Sequence, residues 1–172
     1  MVFELNEPIT AGRGTVDLNV SIDRMAIDVA DADISLTSDP HFNGSVGREP
    51  ERISIKGKLT VEYRVNCTRC AEPQSRHLER DVRAVYSAAA DDQAERELSD
   101  DDLDEDLLPD GGVLLPDVIR EQILLSLPEQ DLCGDDCKGL CTQCGANQNL
   151  IDCNCSSSDV DPRWAALKGL RS

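Results

Sequence analysis

Six cysteines fall within CGDDCKGLCTQCGANQNLIDCNC, the stretch from Cys133 to Cys155. They are Cys133, Cys137, Cys141, Cys144, Cys153 and Cys155. Thiolate-bound zinc needs four sulfurs at about 2.3 Å around one point. Cys141-Thr-Gln-Cys144-Gly145 has the form of a zinc knuckle: a CxxC turn aims two sulfurs together, and the following glycine lets the backbone fold close. A second pair can come from Cys153 and Cys155 or from Cys133 and Cys137. Six thiols exceed one site, so one zinc with two spare thiols and two zincs sharing thiolates both fit. The spacing leaves the foursome open.

Two more cysteines, Cys67 and Cys70, flank Thr68 and Arg69 further upstream. They can form a second knuckle or complete the distal site across space. Alternatively, Cys67 only continues a buried strand face and Cys70 is a small turn residue. Arg69, projecting from this turn, is a candidate contact for a phosphate or carboxylate.

Disulfides would need an oxidising compartment, and the start MVFELNEPIT has no signal-peptide pattern. Redox CxxC motifs open a helix beside a βαβ pattern, which is missing here. A structural metal is the reading that the spacing favours. The segment has too few apolar residues to fold alone, so a metal would supply its folding energy. His41 and His77 are each isolated among polar residues and read as solvated surface. Gly12–Gly14 is too short for a phosphate loop. With no recognisable nucleophile or acid–base site, the expectation is a protein that is not an enzyme.

The elements that must position these thiols are written in the apolar periodicity. In ISIKGKLTVEYRVNC, residues Ile53, Ile55, Leu59, Val61, Tyr63, Val65 and Cys67 alternate with polar ones, predicting a long strand with one buried face. Gly57 on that face predicts a bulge or a close crossing. Val16, Leu18, Val20 and Ile22 predict a second strand, Ile34 and Leu36 a third, and Leu78, Val82, Ala84 and Tyr86 a fourth. Asn66–Arg76 then connects antiparallel strands. Leu115, Val118, Ile119, Ile123 and Leu127 recur at helical spacing, with Pro116 at a first-turn position and Pro128 ending the run. This helix is expected to pack on the sheet. Residues 161–162, Asp-Pro, can open a short C-terminal helix.

The 172 residues carry a formal charge of −17, and residues 91–112 account for −10 of it. That segment reads as a solvated, flexible loop. A direct grip on nucleic-acid phosphates needs clustered Lys and Arg, and with only one Trp, two Tyr and two Phe, base stacking is nearly excluded. Basic partners suit this charge better. Without a targeting segment or membrane span, the expected location is the cytoplasm.

The order of CTRCAEPQ, LLSLPEQDLC, CKGLCTQCGANQN with CNC, and DPRWAALKGL resembles the YceD family, the large ribosomal RNA subunit accumulation proteins. The resemblance covers roughly residues 15–170. It implies a non-catalytic bacterial or organellar factor needed for normal 23S rRNA levels and linked to large-subunit assembly, often encoded beside ribosomal protein L32. Cys67, Arg69 and Cys70 match the family's CxRC element. The six distal cysteines match a cluster that only some members possess, which implies a stabilising role for that cluster.

The expected architecture is α+β: a mainly antiparallel sheet, a packed helix and a C-terminal cysteine-rich zinc-binding appendage. Its parts are a β-rich region over 1–90, the acidic loop over 91–112 and a helix completing the main domain over 113–132. The cysteine segment at 133–155 and a linker with a short helix at 156–172 follow. The expected function is large-subunit assembly through a basic protein partner, ribosomal protein L32 being a candidate, with rRNA bound indirectly or weakly. A direct rRNA-binding module would show a basic groove. A thiol-based redox sensor would show an exposed cysteine of low pKa.

Overall fold

The computed structural model describes residues 7–88 and 105–155. Strands β1 (Gly14–Ser21), β2 (Ile34–Leu36), β3 (His41–Glu49), β4 (Arg52–Asn66), β5 (Pro73–Ser87) and β6 (Asp106–Leu107) form one sheet. Its order is β1-β3-β4-β5-β6, with β2 also paired to β4. The β1–β3, β2–β4 and β3–β4 pairs are antiparallel, and β5–β6 is parallel. Only residues 67–72 join the neighbours β4 and β5. A parallel crossover needs a dozen or more residues, so this pair is a hairpin.

β4 has the predicted period of two. Ile53, Ile55, Leu59, Val61 and Tyr63 are buried, and the residues between them are polar. The register with β3 runs unbroken from His41↔Thr60 to Glu49↔Arg52. Gly57 therefore marks a close approach and not a bulge. A Cβ there would stand 2.6 Å from Gly44 Cα and 2.8 Å from Phe42 Cε2. Gly44 is its register partner, and the fully buried Phe42 ring fills the space that two missing side chains leave. Sequence reasoning missed β3, because HFNGSVGRE offers only Phe42 and Val46 as large apolar residues.

Helix α1 (Leu115–Ser126) has Pro116 in its first turn and Asp117 beside its positive end. Leu115, Val118, Ile119 and Ile123 are buried, and Leu124 and Leu127 are partly buried, in the same apolar cluster as the β4 face. Residues 105–112 of the acidic segment hold β6, and Gly112 turns the chain into the Val113–Ile9 bridge. The expected loop over 91–104 and the expected C-terminal helix over 156–172 lie outside the described residues.

The chain divides into two compact units. One takes Met1–Val65 and Gln74–Glu129 and contains the helix. The other takes Asn66–Pro73 together with Gln130–Ser172, so all eight cysteines belong to it.

Candidate metal centre

The β4–β5 connection is a tight turn with Ala71 in the left-handed region at φ 59°. The Cys67 N–H donates to the Glu72 carbonyl (2.8 Å), and the Ala71 N–H donates to the Cys67 carbonyl (2.9 Å). The turn at Cys141 repeats this pattern. The Cys141 N–H donates to the Ala146 carbonyl (2.8 Å), the Gly145 N–H donates to the Cys141 carbonyl (2.9 Å), and Gly145 has φ 71°. CTRCA and CTQCG are therefore the same knuckle built twice. The first uses alanine where glycine is the easier residue.

Each knuckle gathers a second pair of thiols. Cys67, Cys70, Cys133 and Cys137 form one tetrad, and Cys141, Cys144, Cys153 and Cys155 form the other. Within each, every sulfur lies within 4.8 Å of the other three. The Cys67–Cys137 Sγ separation is 3.8 Å and Cys70–Cys133 is 3.7 Å. A disulfide would bring two sulfurs to about 2.05 Å. Four sulfurs about 2.3 Å from a common centre are about 3.8 Å apart along each tetrahedron edge. The first tetrad thus has the dimensions of a tetrathiolate metal site, and both groups can hold a metal ion.

The two units of sequence that build the first tetrad are tied by more than sulfur. The Thr68 N–H donates to the Asp131 carbonyl (2.8 Å), and the Leu140 N–H donates to the Arg69 carbonyl (3.1 Å). Arg69 Nη1 donates to the Cys137 carbonyl (3.2 Å), so this side chain fastens the site's own backbone. Asn149 accepts from the Lys138 N–H (2.8 Å) and points its amide at Cys137 Sγ (3.3 Å). Asn147 Nδ2 donates to Glu72 Oε1 (3.1 Å). Asn149 and Asn147 were not identified from sequence. The signal that could have found them is their place between Cys144 and Cys153, inside the cysteine-rich stretch.

The thiols disagree in acidity for identifiable reasons. Burial pushes Cys67 up, but the N–H groups of Cys70, Arg69 and Cys133 outweigh it and bring the thiol down to about 6. The Asn149 amide, against burial, lowers Cys137. The Glu72 N–H pulls Cys70 down, yet burial and the Cys67 sulfur prevail and raise it. The sulfurs of Cys137 and Cys70, with burial, push Cys133 to about 12. In the second tetrad, the N–H groups of Cys144 and Gln143 bring Cys141 down to about 6. The neighbouring Cys141 sulfur raises Cys153, and Cys144 pushes Cys155 to about 12. Four adjacent thiolates repel one another, and a divalent cation at their centre would remove that conflict.

The histidines take no part in either tetrad. Both are exposed on strands, His41 within 3.3 Å of the Ser21 hydroxyl. Among the described residues no helix is long and apolar enough to cross a membrane.

A family model described as large ribosomal RNA subunit accumulation protein YceD matches residues 55–171. That range takes in most of β4, helix α1 and both tetrads. A chloroplastic YCED homolog 1 of Arabidopsis thaliana is 36% identical over 53 residues, which is 31% of this chain and 16% of that protein. An uncharacterised protein of Mycobacterium tuberculosis is 27% identical over 117 residues, 68% of this chain and 55% of the relative. One of Mycobacterium leprae is 25% identical over 117 residues, with 52% of its length matched. The match spans about half the length of these mycobacterial relatives. No solved structure matches the chain.

Proposed function

We propose, from the premise that this chain belongs to the YceD family of large ribosomal RNA subunit accumulation proteins, that it supports accumulation of the large-subunit rRNA as a non-catalytic assembly factor. The observation that carries the reading is the family match across residues 55–171. It embraces the strand, the knuckle, the helix and the cysteine cluster in one continuous range. We further propose that the tetrads hold zinc, which suits four thiolates in a tetrahedron and brings no redox chemistry. Bound zinc would contribute structure here: it ties Asn66–Pro73 to the chain beyond Gln130.

The partner that this chemistry favours is a basic protein, such as a ribosomal protein. Residues 66–73 and 130–155 contain five acids and two bases before any thiolate is counted. A tetrathiolate zinc adds two further negative charges per site. Such a surface repels phosphates and attracts Lys- and Arg-rich segments. Contact with rRNA would then be indirect or weak, and the setting cytoplasmic.

Affinity capture from cells tests the function. Recovery of large-subunit precursors is the expected result, and their consistent absence would overturn it. A gel-shift at physiological salt tests the route. Tight, specific binding of naked 23S rRNA fragments would replace the protein-partner reading with direct RNA recognition.

A further inference from the structure

We infer that the chain binds two zinc ions held with unequal security, the first a permanent staple and the second exchangeable. This rests on the zinc reading above and goes beyond it in the unequal hold and separate roles of the two sites. In the first tetrad Cys67, Cys70 and Cys137 are 2%, 4% and 7% exposed, and Cys133 alone is open. In the second only Cys141 is buried, Cys153 is half-buried, and Cys144 and Cys155 are exposed.

The backbone differs in the same direction. The first tetrad's chain segments are joined by the Thr68–Asp131, Leu140–Arg69 and Arg69–Cys137 hydrogen bonds. Asn147 and Asn149 add side-chain ties to Glu72 and Cys137. These ties do not run through the sulfur-to-metal bonds themselves. The second tetrad draws two ligands from Asp152–Cys155, which makes no backbone–backbone hydrogen bond among the described residues. Its sulfurs are what hold that segment in place.

An attacking chelator must reach the ion and displace thiolates one at a time. At the second site Cys144 and Cys155 are exposed residues, and a released Cys155 has no backbone bond among the described residues to return it. The ion leaves with the chelator, and the freed thiolates take protons from water. At the first site the three buried sulfurs exclude the incoming ligand until the surrounding backbone opens. The second tetrad is therefore the site at which zinc supply, or a thiol-directed reagent, changes the state of this protein.

The test uses the full chain loaded with zinc. Elemental analysis should give two zincs per chain. A chromogenic chelator should then remove one equivalent at least tenfold faster than the other. Alkylation with N-ethylmaleimide after the fast phase, mapped by mass spectrometry, should mark Cys141, Cys144, Cys153 and Cys155 and spare Cys67, Cys70 and Cys137. The double substitution Cys144→Ser, Cys155→Ser should retain one zinc and lose the fast phase. Two ions leaving in a single phase, or simultaneous labelling of both tetrads, overturns the inequality and leaves the zinc reading standing. A chain that takes up no zinc when offered an excess overturns both.

Discussion

At the scale of single residues, acidity and hydrogen bonding divide the labour in each tetrad. Cys67 and Cys141 are both brought down to about 6, so they ionise more readily than an ordinary thiol. Cys70 and Cys133 in one site, and Cys153 and Cys155 in the other, are raised and must give up protons as the metal enters. A cation entering either site would thus release at least two protons, and acid would oppose its binding. Zinc affinity should fall by at least about a hundredfold for each pH unit below neutrality, and more steeply below about 6, where Cys67 and Cys141 are protonated too. Competition titrations against a chelator of known affinity at several pH values would check this. A pH-independent affinity would contradict the proton count. Arg69 acts on the backbone. Arg69→Ala should cost about 1 kcal/mol, the worth of one hydrogen bond to the Cys137 carbonyl, without reducing the zinc content. Thermal unfolding and elemental analysis on the same sample separate those two effects.

At the scale of elements, the long β4 strand is what delivers Cys67 to its site, and the Gly44–Gly57 contact is what lets β3 and Phe42 pack against it. A methyl at residue 57 would meet the Asn43 carbonyl oxygen and Gly44 Cα at 2.6 Å. Gly57→Ala should therefore destabilise the sheet by about 1–3 kcal/mol, the usual cost of overpacking. Urea unfolding followed by circular dichroism measures it, and an unchanged midpoint would show that the strands can shift apart freely. Phe42→Ala opens the same contact from the other side. It should cost about 3–5 kcal/mol through the cavity it leaves.

At the scale of the whole molecule, one unit is built on an aliphatic core and the other on two clusters of four thiols. The sheet and helix bury a continuous cluster from Ile9 to Ile123. Among its described residues the cysteine unit buries Cys67, Cys70, Cys137, Cys141 and Asp131, with Leu132 partly buried, and no larger apolar side chain. Metal removal should consequently act on one unit alone. After exhaustive chelation under denaturant-free conditions, limited proteolysis should cut first within residues 130–155, while β1 to β5 stay protected. Loss of strand signal in the same samples would show that the core depends on metal. A binding partner matched to the acidic surface should also lose affinity steeply as salt rises. Capture experiments repeated across ionic strengths would reveal that slope.

Local pattern was enough for the elements with a strong period. The alternation through Ile53–Cys67 and the spacing of Leu115, Val118, Ile119 and Ile123 each reflect burial of one face, and burial of one face is written into consecutive residues. The same holds for the Cys141 knuckle, where Gly145 supplies the left-handed residue the turn requires. The family likeness too was carried by ordered motifs. Strand β3 escaped because its fitness for the sheet lies in two glycines whose value depends on a partner strand. The division of eight thiols into two tetrads also escaped. Cys67 and Cys70 stand more than sixty residues from Cys133 and Cys137, and spacing along a chain says nothing about such a meeting. Chemistry within reach of a turn was determined by the sequence alone. Which cysteines can share an ion was decided by the tertiary structure, because a tetrahedron of sulfurs is a condition on positions in space.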